Sequence, residues 1–150
     1  MENNLNIIKD KFKELPNNIE AEKSVIGSIL VTNEIFDEIS TIISHVNFYD
    51  PMHQKIYNAV ESLIYKGMLA NPITLKNFFE KDNMLSEVGG TEYLVKLTRF
   101  SGSAKQATDY AKIIHEMYLR RELVLISDRL SSDTINANDR EQNAEKIIEE

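Results

Sequence analysis

The sequence contains no cysteine and no tryptophan, and only five glycines and three prolines occur among its 150 residues. Without cysteine, neither a disulfide framework nor a zinc–thiolate site can form. The shortage of glycine and proline argues against an all-β sandwich or barrel, which needs many tight turns. No apolar run is long enough to cross a membrane, and the N-terminus lacks a basic region followed by an apolar core. These absences favour an all-α protein of the cytoplasm.

Negative charge predominates along the whole chain, with 17 Lys and Arg against 24 Asp and Glu and a net charge of −7. A protein that grips a nucleic-acid backbone by itself is expected to carry an excess of cations, because neutralising phosphates supplies most of the non-specific affinity. We therefore expect little direct DNA binding by this chain.

Apolar side chains recur at helical spacing in five short segments before residue 100. The clearest start is Asp50-Pro51, because Asp accepts hydrogen bonds from free amides while Pro lacks an amide at the first helical position. This helix is predicted to run to Lys66, with Gly67 supplying the left-handed residue that ends it. Predicted caps or first residues of the other four helices are Asn17 or Asn18, Asn33, Pro72 and Thr91.

A single long helix is predicted from Ala104 to about Leu130, because no Gly or Pro follows Ala104 and the helical periodicity continues. Near its middle this helix is apolar almost all round, which a surface helix tolerates only if a second helix and another subunit cover it. For Arg120 and Arg121 in this apolar region, a surface salt bridge and an ion pair between subunits both remain open. The predicted subunit or partner interface comprises Met117, Tyr118, Leu119, Arg120, Arg121, Leu123, Val124 and Ile126.

The C-terminal residues predict a polar turn at 136–139 and then the beginning of another amphipathic helix, with Ala144, Ile147 and Ile148 on its apolar side. Because the sequence stops inside this helix, we expect the chain to be part of a longer protein. The predicted organisation is a mobile lead-in over residues 1–15, a helical head over 16–100 and a truncated helical hairpin over 101–150.

Motifs for catalysis are missing from the sequence. It contains no phosphate-binding loop, dinucleotide-binding turn, zinc-protease helix or nucleophile elbow. None of its three histidines has a partner at metal-ligand spacing, so we predict no catalytic, cofactor or metal site. His53 is interpreted as bonding to the preceding loop or packing against Tyr49 or Tyr57. The carboxylates of Glu20 and Glu22 could suggest an acid–base pair, but they are interpreted as complementing the helix dipole in the first turn or as simply solvated.

Several sequence runs resemble the N-terminal domain of bacterial replicative DNA helicases of the DnaB family. They are PNNIEAEKSVIG at 16–27, FYDPMHQKIY at 48–57, GGTEYL at 89–94, YAKII at 110–114 and RREL at 120–123. The runs occur in the family's order. The sequence departs from the family at Leu15, where a second proline is common, and it lacks the family's C-terminal RecA-like motor.

The resemblance implies a compact helical head followed by a helical hairpin. It implies self-association as a dimer or as a hexameric ring, in which the N-terminal domains form a collar above the ATPase ring. It further implies docking of the primase C-terminal domain within the primosome, contact with a helicase loader, and single-stranded DNA passing through the ring. This chain would not itself be an enzyme, whereas the full-length parent would be an ATP-dependent DNA helicase that uses ATP and Mg.

Two alternatives remain open at this point. A free-standing helical adaptor or regulatory protein would show the same periodicity and the same acidic balance. A small enzyme with an unrecognised site is the weaker alternative, because the sequence shows no converging titratable groups.

Overall fold

The structure, a computed structural model, describes residues 14–136 and 143–149, and within these ranges every regular element is helical. The predictions of an all-α fold, of five short helices before residue 100 and of a long helix followed by another are confirmed. No helix in these ranges is long and apolar enough to span a membrane. The α-helices are α1 (Ile19–Val31), α2 (Phe36–Ile39), α3 (Pro51–Tyr65), α4 (Pro72–Lys81), α5 (Gly90–Thr98), α6 (Ala104–Ile135) and α7 (Ala144–Glu149).

Helix α3 begins and ends as its sequence predicts. The Asp50 carboxylate accepts a hydrogen bond from the Met52 amide at 2.8 Å, and Pro51 occupies the first turn. At the other end Gly67 has φ +75°, and its amide donates to the carbonyl of Ile64. The Met68 amide then reaches back to Leu63 at 2.9 Å. These two bonds satisfy carbonyls that the helix end would otherwise leave free.

Two predicted caps are wrong. The Asn33 side chain donates to the carbonyls of Ile29 and Ala70 and accepts from the Ala70 amide, so it joins two segments instead of capping the next helix. Helix α5 begins at Gly90 and not after Thr91, because Gly89 takes a left-handed conformation, φ +87°, and turns the chain one residue earlier. Elsewhere Asn18 caps α1 through the Ala21 amide at 3.0 Å.

One compact unit of the chain comprises Asn17–Tyr118. Its core contains apolar side chains from α1 to α5 and also three residues of α6, namely Ala107, Ala111 and Ile114. The head therefore continues beyond the predicted boundary at residue 100, because the first turns of the long helix supply part of its core. A second unit includes Pro16 and the residues from Leu119 onward. Residues 1–13 of the predicted lead-in and 137–139 of the predicted polar turn lie outside the described residues.

Helices α1 and α5 approach each other closely at Gly27. A Cβ atom on Gly27 would overlap the Leu97 carbonyl oxygen and would lie 3.3 Å from the Ser101 amide nitrogen. Both neighbours are backbone atoms, so they cannot move aside as a side chain can. The packing of α1 against α5 therefore requires glycine at this position.

We predict that Gly27→Ala lowers the free energy of unfolding by about 1–3 kcal/mol or more, since the added methyl group must push backbone apart. Urea denaturation followed by circular dichroism measures the change. The matched control is Gly102→Ala, where the new methyl group would meet only the flexible side chain of Gln106. Equal stability of the two variants would contradict the close contact.

Candidate functional site

Three polar side chains that are far apart in the sequence form a buried cluster in the Asn17–Tyr118 unit. Nδ1 of His53 lies 2.8 Å from Oε1 of Glu22, and its Nε2 lies 2.6 Å from the Tyr93 hydroxyl. Glu22 is 1% exposed and His53 is fully buried, while Tyr93 is partly exposed. The cluster joins α1, α3 and α5 through side chains alone.

The Glu22 carboxylate is the centre of this cluster. Besides His53, it accepts hydrogen bonds from the amides of Tyr49 at 2.7 Å and Asp50 at 3.3 Å. It therefore fixes the loop that leads into α3. The prediction that Glu22 is a solvated first-turn carboxylate is wrong, because its side chain points into the core and finds three donors there. Glu20, two residues earlier in α1, is exposed and solvated, and its Oε1 lies 3.2 Å from Nζ of Lys23.

His53 has two partners that sequence reasoning did not assign. In its neutral form Nδ1–H donates to the Glu22 carboxylate, which leaves Nε2 to accept the Tyr93 hydroxyl proton. Both ring nitrogens therefore bond to side chains of other helices, and not to the preceding loop as predicted. One signal was available in the sequence: each of the three residues lies in a different run that resembles the helicase family.

The cluster of Glu22, His53 and Tyr93 has a structural role: its hydrogen bonds join three helices, and it is here called the brace. The carboxylate and the imidazole have no exposed surface at which a substrate could react. Burial, followed by the charges of Asp50, Glu22 and Glu20, raises the pKa of Tyr93 to about 12, so the phenol remains a neutral donor. Among the described residues, no group of three or more His, Asp or Glu side chains could hold a metal ion.

A second feature lies on the long helix. Leu119, Leu123, Ile126 and Leu130 are 43%, 65%, 48% and 46% exposed. At 100° per residue these four fall within one 60° sector of α6, so they form a continuous apolar stripe, here called the α6 stripe. Leu125 is 49% exposed but lies outside that sector.

The remaining residues of the predicted interface are placed differently. Met117, Tyr118 and Val124 are half-buried, and Arg120 is exposed. Arg121 is only 7% exposed and donates a hydrogen bond to the carbonyl of Pro16 at 2.8 Å. Arg121 is therefore buried instead of lying on the surface, and its guanidinium is engaged within the chain.

An all-helical fold with an internal polar brace and an exposed apolar stripe is typical of an interaction domain. The profile of the DnaB-like helicase N terminal domain matches residues 14–116, which is more than half of the sequence. The chain belongs to this family.

Named relatives and a solved structure agree with this assignment. The chain is 37% identical over 142 residues to the replicative DNA helicase DnaB of Rickettsia typhi, covering 91% of the chain and 29% of that protein. It is 34% identical over 127 residues to DnaB of Buchnera aphidicola, covering 85% of the chain and 27% of the relative. The N-terminal domain of DnaB helicase from Mycobacterium tuberculosis superposes with a TM-score of 0.81 at 27% identity, covering 91% of this chain and 94% of that one. The chain thus spans less than a third of its full-length relatives.

We predict that Glu22→Ala lowers the free energy of unfolding by about 3–5 kcal/mol, because it leaves buried His53 and two partly buried backbone amides without their acceptor. Denaturant unfolding measures this loss. Glu20→Ala on the same helix is the control, and we expect it to cost less than about 1 kcal/mol, since its ion pair with Lys23 is exposed. Similar losses in both variants would contradict the brace.

We predict that Tyr93 ionises near pH 12 in the folded protein instead of near its ordinary value of 10.0. Because the folded-state pKa is raised, the stability that this neutral phenol contributes is complete below pH 10 and is lost as the pH rises through about 12. An ultraviolet absorbance titration of the chain and of Tyr93→Phe tests this. Compared with the unmodified chain, Tyr93→Phe should show a smaller absorbance change near pH 12. A smaller change near pH 10 instead would contradict the assignment of Tyr93 as a buried donor.

Proposed function

We propose that this chain is the N-terminal collar domain of a bacterial replicative DNA helicase, and that it serves subunit assembly and primase docking. Family membership supports the proposal, and the relatives that it matches are named replicative DNA helicases. Because the chain spans 29% of the Rickettsia typhi protein, unwinding is assigned to residues beyond this region. The location that fits this role is the cytoplasm, at the replication fork.

The observation that carries self-association is the α6 stripe. Its four large aliphatic side chains are substantially exposed and lie on one face of a helix. Fully burying an exposed Leu or Ile contributes about 1.5–3 kcal/mol. Because these four are about half exposed, each would contribute about half of that, and a symmetric pair of stripes would supply eight such contributions toward pairing. The net charge of −7 favours protein contacts over direct contact with DNA phosphates.

Catalysis and nucleic-acid binding belong elsewhere in the proposed protein. The sequence has no phosphate-binding loop, so ATP and Mg would bind a RecA-like domain outside these 150 residues. Single-stranded DNA would pass through the assembled ring. The C-terminal domain of primase is the proposed partner of the collar, and a helicase loader is the proposed partner during assembly.

We predict that Leu119→Asp with Leu123→Asp weakens self-association at least about a hundredfold, because two apolar anchors are replaced by charges that repel their symmetry mates. Light scattering over a concentration series measures the mass. Circular dichroism of the double variant should show the same helix content as the unmodified 150-residue chain, since both positions are exposed.

The matched control is Leu125→Asp. Leu125 is as exposed as the stripe residues but lies on another side of α6, so its replacement should leave the association constant within a few-fold of the parent value. If the unmodified 150-residue chain stays monomeric at high concentration, the proposal is contradicted. Unfolding of the double variant would also contradict it, because the stripe would then be core.

A further inference from the structure

A group of exposed apolar side chains surrounds the turn between α1 and α2. Val31, at the end of α1, is 59% exposed, and Leu69, in the loop between α3 and α4, is 69% exposed. Both line a cavity of 210 Å³, here called the Asn33 notch, together with Asn33 and Glu34. Tyr65 is 74% exposed and packs edge-on against Phe36, with ring centroids 6.1 Å apart.

The walls of the Asn33 notch are held rigidly. The Asn33 amide group bonds to Ile29 on one side at 2.7 Å, and on the other it exchanges two bonds of 2.8 Å with the backbone of Ala70. Ala70 is 1% exposed, so the loop is fixed next to Leu69. Leu69 adjoins this fixed backbone and is largely exposed. A rigid surface that presents apolar groups loses little conformational entropy when a partner binds.

The size of the notch indicates what it accepts. Cavities that bind drug-sized small molecules usually measure about 300–1,000 Å³. At 210 Å³, the Asn33 notch is smaller than this range and suits a single apolar side chain. Anchoring of one side chain in a pocket between exposed apolar groups is typical of peptide and protein docking.

The charge around the notch indicates what flanks that side chain. Glu34 forms part of the wall, and the exposed carboxylates of Asp37 and Glu38 follow on α2. No Lys or Arg occurs between Lys23 and Lys55. Across the notch, the loop that carries Leu69 has one cation, Lys66. The net local charge is therefore negative, which attracts cations and disfavours an acidic segment.

We infer that the Asn33 notch docks a basic amphipathic segment of a partner protein, with one large apolar side chain in the cavity and Lys or Arg beside Glu34, Asp37 and Glu38. The residues involved differ from those of the α6 stripe, so this docking surface is independent of the proposed self-association. Affinity would come from the apolar anchor, and the charges would select the partner and speed its approach.

Two synthetic helical peptides test this inference on the full 150-residue chain. Both carry Leu at one face; the other face is Lys in the first peptide and Glu in the second. We expect the Leu/Lys peptide to shift the amide NMR signals of Val31, Glu34 and Leu69, and the Leu/Glu peptide to bind at least about tenfold more weakly. Equal binding of both peptides, or shifts that centre elsewhere, would overturn the inference.

Variants separate the apolar contribution from the charge. Leu69→Ser should weaken binding of the Leu/Lys peptide about tenfold, and Glu34→Lys should reduce the preference between the two peptides. Val95→Ser is the matched control, since Val95 is an exposed apolar residue that lines another groove, beside Lys96 and Arg99. Loss of binding with Val95→Ser but not with Leu69→Ser would overturn the inference. Concentration-dependent dimerisation that Leu69→Ser abolishes would also overturn it, because the occupant would be a second copy.

Discussion

The buried carboxylate of Glu22 is the interaction on which the head depends most. It accepts three hydrogen bonds, two from the backbone of the loop before α3 and one from the imidazole of His53. The other ring nitrogen of His53 bonds to the Tyr93 hydroxyl in α5. A carboxylate with no solvent is costly unless it is fully bonded, so the structure that supplies these donors is strongly selected over packings that would not. Helices too short to be stable alone are in this way locked to one another.

Local signals in the sequence were sufficient to predict the helices. Asp50-Pro51 and Gly67 act through backbone geometry within one turn, and α3 has the expected limits. Contacts between residues that are far apart in the sequence could not be predicted in this way. Glu22 and His53 are 31 positions apart, and a carboxylate in a first helical turn has the same sequence pattern whether it is solvated or buried. Asn33 failed as a cap for a related reason, since its partner Ala70 is 37 positions away.

Helix α6 contributes to two different tasks along its length. Its first turns place Ala107, Ala111 and Ile114 in the core of the Asn17–Tyr118 unit, where small side chains allow close packing. Further along, Leu119, Leu123, Ile126 and Leu130 are left exposed. Periodicity in the sequence is apolar for both sets of residues. It identifies an apolar face of the helix, but it does not show whether the core, another subunit or solvent lies against that face. This is why the sequence alone could predict an apolar region on α6 but could not separate Arg121, which bonds to Pro16, from its exposed neighbours.

Stability and interaction therefore rest on different residues. The brace of Glu22, His53 and Tyr93 and the close contact at Gly27 act inside the head. The α6 stripe and the exposed side chains of the Asn33 notch, namely Val31, Glu34 and Leu69, lie outside its core. Exposed positions of this kind contribute little to folding, so their sequence can follow the requirements of a partner. Because these exposed side chains are not part of the folded core, changes to them should alter the proposed assembly and docking without unfolding the domain. In the proposed function, the same independence would let the domain support other subunits and partners while its own fold stays unchanged.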